Sequence, residues 1–167
     1  MLTKKIQTAL NDQINHELAS AYLYLSMAAY LEAANLRGFA AWMRRQSQEE
    51  AGHAMKIFDY VNDRDARVTL QAIEQPPTAF KSALDVFERT LEHERKISGL
   101  INRLCDLAAK ENDHATQAML QWFVSEQVEE EKSVSTVLEQ LRMIGVSSTA
   151  IFFLDRHLGK DAEETAG

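Results

Sequence analysis

The segments QSQEEAGHAMKI at residues 46–57 and FVSEQVEEEKSV at residues 123–134 carry the pattern that decides the fold. Both read as helix, with apolar residues recurring at steps of three and four. Both also set acidic or imidazole side chains on the stripe that should be apolar. Glu49, Glu50 and His53 in the first answer to Glu126, Gln127 and Glu130 in the second at a constant offset of 77 residues, and Glu17 and Glu94 repeat at that offset too. Carboxylates and an imidazole in a helical core are costly unless paired or bound to metal. A buried metal site is the simplest account.

Four long segments carry helical periodicity, at about residues 4–34, 36–63, 79–110 and 113–143. Each seam steps by fours and threes, the pattern of helices packed nearly parallel or antiparallel in a bundle. The midpoint between Glu17 and Glu50 falls beside a predicted turn at Asn35, and that between Glu94 and Gln127 falls in the polar turn at residues 110–113. Residues equidistant from a tight turn stand at one height, here about 25 Å from each turn at 1.5 Å per residue. The two helical hairpins therefore present their polar clusters at a common level.

Between the hairpins, residues 64–78 (RDARVTLQAIEQPPT) break the pattern, and Pro76-Pro77 forbids helix. Extended, this stretch reaches about 50 Å, enough to travel the length of the bundle and set the second and third helices parallel. A loose loop is the alternative. Gly145 reads as a helix stop, and Ser147 or Ser148 as the cap of a short fifth helix over 147–158. Its Ile151-Phe152-Phe153-Leu154 run predicts burial against the bundle or a neighbouring subunit. Residues from Lys160 to Gly167 are expected to fray.

The 167 residues suit one domain, 1–167, of all-α class. With 18 Lys and Arg against 25 Asp and Glu, net −7, the chain has no basic patch for phosphates, and nucleic acid is not an expected partner. No segment approaches the roughly 20 apolar residues of a membrane span, and the N-terminus MLTKKIQTAL lacks a signal-peptide core. The single cysteine, Cys105, fits a reducing compartment and reads as a small core residue. A soluble, cytoplasmic protein is expected.

Glu50 and His53 stand three apart on one helical face, a chelating pair for Fe(II), Mn(II) or Zn(II). Alone such a pair is as readily a surface ion pair. The matching heights of Glu17 and Glu94 strengthen it, because di-iron carboxylate bundles take a Glu from each of two helices and Glu-x-x-His from the other two. Here the second Glu-x-x-His is altered to Gln127-x-x-Glu130. One metal would sit on Glu17, Glu50 and His53, the other on Glu50, Glu94 and Glu130. Gln127 would be a weak neutral ligand or a hydrogen-bond partner. The second position, with oxygen ligands only, should bind less tightly and favour turnover of metal. Glu49, Glu126 and Glu129 form a further acidic tier, a candidate third metal position, whereas Glu131 reads as solvated surface. Tyr24, seven residues after Glu17, lies on the same face. His16 and His93 read as flank residues, Trp122 as packing, and His114 and His157 carry no motif.

These residues resemble bacterial non-haem ferritin, from Glu17-Leu-Ala-Ser-Ala-Tyr-Leu-Tyr through Gln-Glu-Glu-Ala-Gly-His at 48–53 to Phe-Val-Ser-Glu-Gln-Val-Glu-Glu-Glu at 123–131. The resemblance implies a four-helix bundle with a long crossover and a fifth helix, assembled as a 24-mer shell. It implies oxidation of Fe(II) to Fe(III) by O2 or H2O2 at an intrasubunit di-iron ferroxidase centre, and storage of ferric mineral inside. The ferroxidase ligands would be Glu17, Glu50, His53, Glu94 and Glu130, with Gln127 nearby, Tyr24 beside the centre, and Glu49, Glu126 and Glu129 as a third iron site. Haem is not expected, because Ala51-Gly52-His53 lacks the methionine that binds it in bacterioferritin. One cysteine leaves no iron module of the rubrerythrin kind. The miniature ferritins of starved cells place their ligands between subunits and do not need this set. Two alternatives of other classes remain, a metal-free helical bundle serving as an interaction module and a di-iron or di-manganese peroxidase or catalase that stores no metal.

Overall fold

The computed structural model describes residues 1–165, which form five helices: α1 Lys4–Ala33, α2 Arg37–Asp63, α3 Ala83–Lys110, α4 His114–Ile144 and α5 Ser148–Thr165. Oxygen-bearing side chains start three of the long helices. Thr3, Ser82 and Asp113 accept from the backbone N–H groups of Ile6, Asp85 and Thr116, satisfying donors that the helix itself leaves open. Asn35 and Asn112 take left-handed backbone conformations, with φ of 58° and 54°, in the turns that close the two hairpins. Gly145, at φ 58° and ψ −132°, ends α4, and Ser147 Oγ accepts from the Ala150 N–H to begin α5.

The crossover is real and is laid along α1. Arg67 O accepts from Gln7 and Asn11, Asn11 Oδ1 accepts from the Thr69 N–H, and Gln71 donates to Asp12. Further on, Pro77 O accepts from Ser26, and Phe80 meets the Tyr30 ring at 5.3 Å. The connection thus passes from the N-terminal part of α1 to its C-terminal part. It delivers α3 antiparallel to α1, with Thr90 beside Met27 and Glu111 beside Lys5. α2 and α3 therefore run parallel.

Two expected boundaries move. α3 begins at Ala83 rather than 79, because Ser82 caps it and Phe80 is held in the crossover by Tyr30. The fifth helix extends past Leu158 to Thr165, while residues 166–167 lie outside those described. Gly159 lies within it where α5 crosses α2, and a Cβ there would stand 3.4 Å from the Gly38 Cα, an ordinary contact. His157 and Asp161, 3.3 Å apart, add an i,i+4 pair across the expected end.

That crossing replaces a missing cap. Leu36, the residue before α2, brings no side-chain cap, and Asp155 of α5 supplies one by accepting from the Phe39 N–H at 3.0 Å. Leu158 is buried and Ile151 and Leu154 are half-buried against the bundle, while Phe152 and Phe153 of the same run are 54% and 66% exposed in the single chain.

Buried apolar side chains fall into two clusters, not one. The first gathers Tyr24, Leu31, Phe39, Trp42, Phe87 and Leu138. The second gathers Leu10, Ile14, Ile57, Ile101, Leu104 and Phe123. The polar residues of the repeat occupy the level between them.

Candidate metal centre

Six residues of the repeat are buried at that level: Glu17, Glu50 and Glu94 at 1% exposure, Gln127 and Glu130 at 5%, and His53 at 6%. The hairpin geometry sets them there, since Glu17 and Glu50 stand opposite each other on α1 and α2, and Glu94 and Gln127 on α3 and α4. Among the described residues, two groups offer three ligand atoms within 4.8 Å of one another: Glu17, Glu50 and His53, and His53, Glu126 and Glu130. The first is the trio expected for one metal. The second differs from the expected Glu50, Glu94 and Glu130.

The difference has a physical cause. Buried carboxylates turn toward whatever donors the core provides. Glu94 Oε1 accepts from the Tyr24 hydroxyl and Oε2 from the Gln127 amide at 3.1 Å. Glu130 Oε2 accepts from the Gln46 amide at 2.6 Å, and Glu17 Oε1 from the Gln13 amide at 2.8 Å. Gln127 presents its amide nitrogen to Glu94, as a hydrogen-bond partner would. His53 sits between the groups, Nδ1 3.7 Å from Glu50 Oε2 and Nε2 3.8 Å from Glu126 Oε1. Rings of Trp122 and Phe123 flank it at 5.3 and 6.1 Å. Trp122 packs edge-on, as its apolar body suggests, and carries the Lys56 ammonium 3.9 Å from its centroid.

Glu17 Oε2 and Glu50 Oε1 are buried and receive no donor from the chain. The two carboxyls face each other, and they satisfy one another only when one holds a proton. Burial first, then the Glu50 charge, pushes Glu17 well above the usual carboxylate range. Burial does the same to Glu50, aided by the charges of Glu94 and Glu130. Glu94 is raised by burial and drawn back by its bonds from Tyr24 and Gln127. Glu130 is pushed up to about 7 by burial and the charges of Glu94 and Glu49. A cluster of carboxylates kept partly protonated by their surroundings is one that a cation would stabilise.

A pH dependence follows. Groups whose folded pKa is raised bind protons more tightly in the native state, so their stabilisation is complete below the unfolded value near 4.5 and is lost as pH rises through about 7. The metal-free protein should lose on the order of 5 °C in Tm between pH 5 and pH 8. Saturating Co(II) should raise Tm more at pH 8 than at pH 5, since binding displaces those protons. Differential scanning calorimetry at both pH values checks this; a metal-free Tm that rises with pH would contradict the assignment of these carboxyls.

The outer acidic tier is looser. Glu126 is half-buried and approaches His53, and Glu49 is exposed and lies 3.7 Å from Arg45. Glu129 is exposed and lines a cleft with Arg45, Lys132 and His157. Its carboxylate belongs to neither three-ligand group among the described residues.

Three residues escaped the sequence reading. Gln13 stands four before Glu17, a spacing that announces the bond they make. Gln46 reaches Glu130 across two helices, which no local spacing reveals. His93 is no surface flank: its Nε2 lies 2.7 Å from Ser20 Oγ, its ring meets Tyr24 edge-on at 5.7 Å, and burial with the neighbouring Lys96 lowers its pKa to about 4. The one cysteine, Cys105, is half-buried with its thiol pushed up by burial, which suits packing rather than reactivity. No helix among the described residues is long and apolar enough to cross a membrane.

Comparison with known proteins agrees with this geometry. A bacterial non-heme ferritin of Bacteroides fragilis is 44% identical over 160 residues, covering 96% of this chain and 99% of that one. Another, of Staphylococcus aureus, is 38% identical, with 95% and 96% covered. An open pore ferritin from the hyperthermophilic archaeon Archaeoglobus fulgidus superposes with a TM-score of 0.94 at 49% identity, covering 95% of this chain and 98% of that one. The family model for the Ferritin-like domain matches residues 7–144, and with its crossover, fifth helix and mid-height carboxylates the chain belongs to the ferritin family.

Proposed function

We propose that this chain is an iron-storage protein that oxidises Fe(II) inside each bundle and holds the Fe(III) as an oxyhydroxide mineral within a hollow homo-oligomeric shell, a 24-mer in the cytoplasm. The observation that carries this reading is the buried Glu17, Glu50 and His53 trio, with one oxygen on Glu17 and one on Glu50 that no donor satisfies.

In this reading Fe(II) and O2 or H2O2 are substrates, and the first Fe(II) lies on Glu17, Glu50 and His53. The second lies on Glu50, Glu94 and Glu130 once Glu94 turns toward the cation and Glu130 offers the oxygen that Gln46 does not hold. Each Fe(II) gives one electron. O2 takes two electrons and two protons and leaves as H2O2; H2O2 as oxidant takes the same and leaves as two waters. Paired delivery avoids a one-electron step to superoxide. Tyr24, hydrogen-bonded to Glu94, stands beside the reacting metals and orients that ligand. The second position has oxygen ligands only and holds its Fe(II) less tightly than the first. Glu49, Glu126 and Glu129 form a third iron position on the way out.

Anaerobic calorimetric titration with Fe(II), followed by oxygen uptake and light scattering on the loaded protein, tests this. The expected result is two tight Fe(II) per chain, unequal in affinity, with a weaker third. Rapid O2 consumption and a particle holding far more iron than its sites can bind should follow. Binding without mineral would favour a non-storing peroxidase or catalase. Neither binding nor oxidation would leave only a metal-free bundle.

A further inference from the structure

Three glutamine amides each hold a carboxylate of the centre: Gln13 on Glu17, Gln46 on Glu130 and Gln127 on Glu94. Gln13 and Gln46 are both 2% exposed, so water does not compete for these bonds. Neither belongs to the repeated constellation. At the same 77-residue offset, Gln13 corresponds to Thr90 and Gln46 to Phe123. Thr90 donates to Val86 O and touches no carboxylate. The two amides are therefore additions to the duplicated frame, placed where it has nothing equivalent.

Their chemistry is specific. An amide NH2 donates without carrying charge, so it fixes a carboxylate without competing with a cation for it, as Lys or Arg would. Each amide occupies one oxygen and leaves the other free. Gln13 takes Glu17 Oε1 and leaves Oε2, the oxygen without a donor. Gln46 takes Glu130 Oε2, on a residue that offers an oxygen to the group with His53 and Glu126.

We propose that Gln13 and Gln46 are positioning residues that restrict Glu17 and Glu130 to one-oxygen ligation, keeping coordination positions on the bound metals open to the oxidant. The inference rests on the metal-centre reading. Without the amide, a carboxylate can chelate through both oxygens and fill a position that O2 or H2O2 would use. Metal ligands depend on such outer partners for their orientation, and losing one typically weakens binding about 10- to 100-fold.

Anaerobic titration with Co(II) as the probe, read by visible absorption, tests this apart from iron oxidation. Co(II) absorbs more weakly as its coordination number rises toward six, so the band reports ligand denticity. In Gln13→Met and Gln46→Met, which keep side-chain length and remove the donor, the band should weaken relative to the unaltered protein and the Kd for Co(II) should rise about 10-fold. Thr90→Val, also a buried donor but on no carboxylate, should leave both readings unchanged. Circular dichroism and Tm establish that each variant is folded. If the unaltered protein binds Co(II) but both Met variants give its band and affinity, the positioning role is wrong and the metal centre stands. If Thr90→Val alters the band as much as they do, the effect is general loosening and the role is wrong again. If the unaltered protein binds no Co(II), the metal-centre reading fails and this inference with it.

Discussion

Replacing Glu50 with Ala is expected to slow Fe(II) oxidation by about 100-fold or more, the largest functional loss of any one substitution in the chain. Glu50 is the carboxylate that faces both Glu17 and His53. It also lies close enough to Glu94 and Glu130 for their charges to raise its pKa. On the proposed reading, its removal takes a ligand from the first metal and the shared ligand from the pair, and both the affinity and the separation of the metals are lost. The fold should survive. Glu50 is a buried acid crowded by the like charges of Glu94 and Glu130, and relief of that crowding offsets the small cavity left by truncation to Ala. A Tm within a few degrees of the unaltered protein, beside a stopped-flow oxidation trace reduced to the uncatalysed rate, is the expected pair of results. Retention of rapid oxidation would show that the chemistry happens elsewhere.

Gly38→Ala should have the largest effect on stability, a loss of about 3–5 kcal/mol and roughly 10 °C in Tm. A Cβ at residue 38 would stand 1.6 Å from the Asp155 carbonyl oxygen and 2.5 Å from its carbonyl carbon. Those are backbone atoms of a packed helix, which cannot swing aside as a side-chain tip can. α5 must lift away from α2, and with it goes the Asp155 carboxylate that caps α2 at Phe39. One methyl group thus costs a helix crossing and a helix cap together. Gly99→Ala on α3 is the internal comparison. There the nearest atom would be Arg103 Nη1 at an ordinary 3.6 Å, and the exchange should add up to about 1 kcal/mol of helix propensity. Thermal melts of both variants, with light scattering to follow shell assembly, check the contrast; equal Tm values would mean the α2–α5 crossing is not a tight constraint.

Much of the architecture was legible because it follows from period and distance. Helical seams, the turn at Asn35 and the equal spacing of Glu17 and Glu50 about it place two carboxylates at one height. Pro76-Pro77 and the length of the connection announced the crossover, whose docking along α1 depends on Asn11 and Ser26 reaching its backbone. Features set by contacts across elements were not legible. Phe80 looked like the start of a helix because it is apolar at the right interval, but it is an anchor of the crossover on Tyr30. The close approach of α5 to Gly38 has no local signal either, because it is set by the Asp155 backbone that meets Gly38 from another helix. Within the centre, the residues that gather there were readable from the repeat. The partners of Glu94 and Glu130 in the absence of metal were not, because a carboxylate's rotamer depends on which donors stand nearby.

The two separate apolar clusters carry a consequence for how the chain opens. A bundle with one continuous core unfolds as a unit, whereas here the layer joining the halves is made of acids whose mutual repulsion grows as they ionise. Each half can therefore exchange its amide hydrogens through its own partial opening, and the four long helices are least tightly coupled where they pass through the acidic layer. A divalent cation offsets that repulsion and would draw α1, α2, α3 and α4 together at one level. Cargo would then act as the keystone of its own container, and each release of iron would return the subunit to a more loosely joined pair of half-bundles.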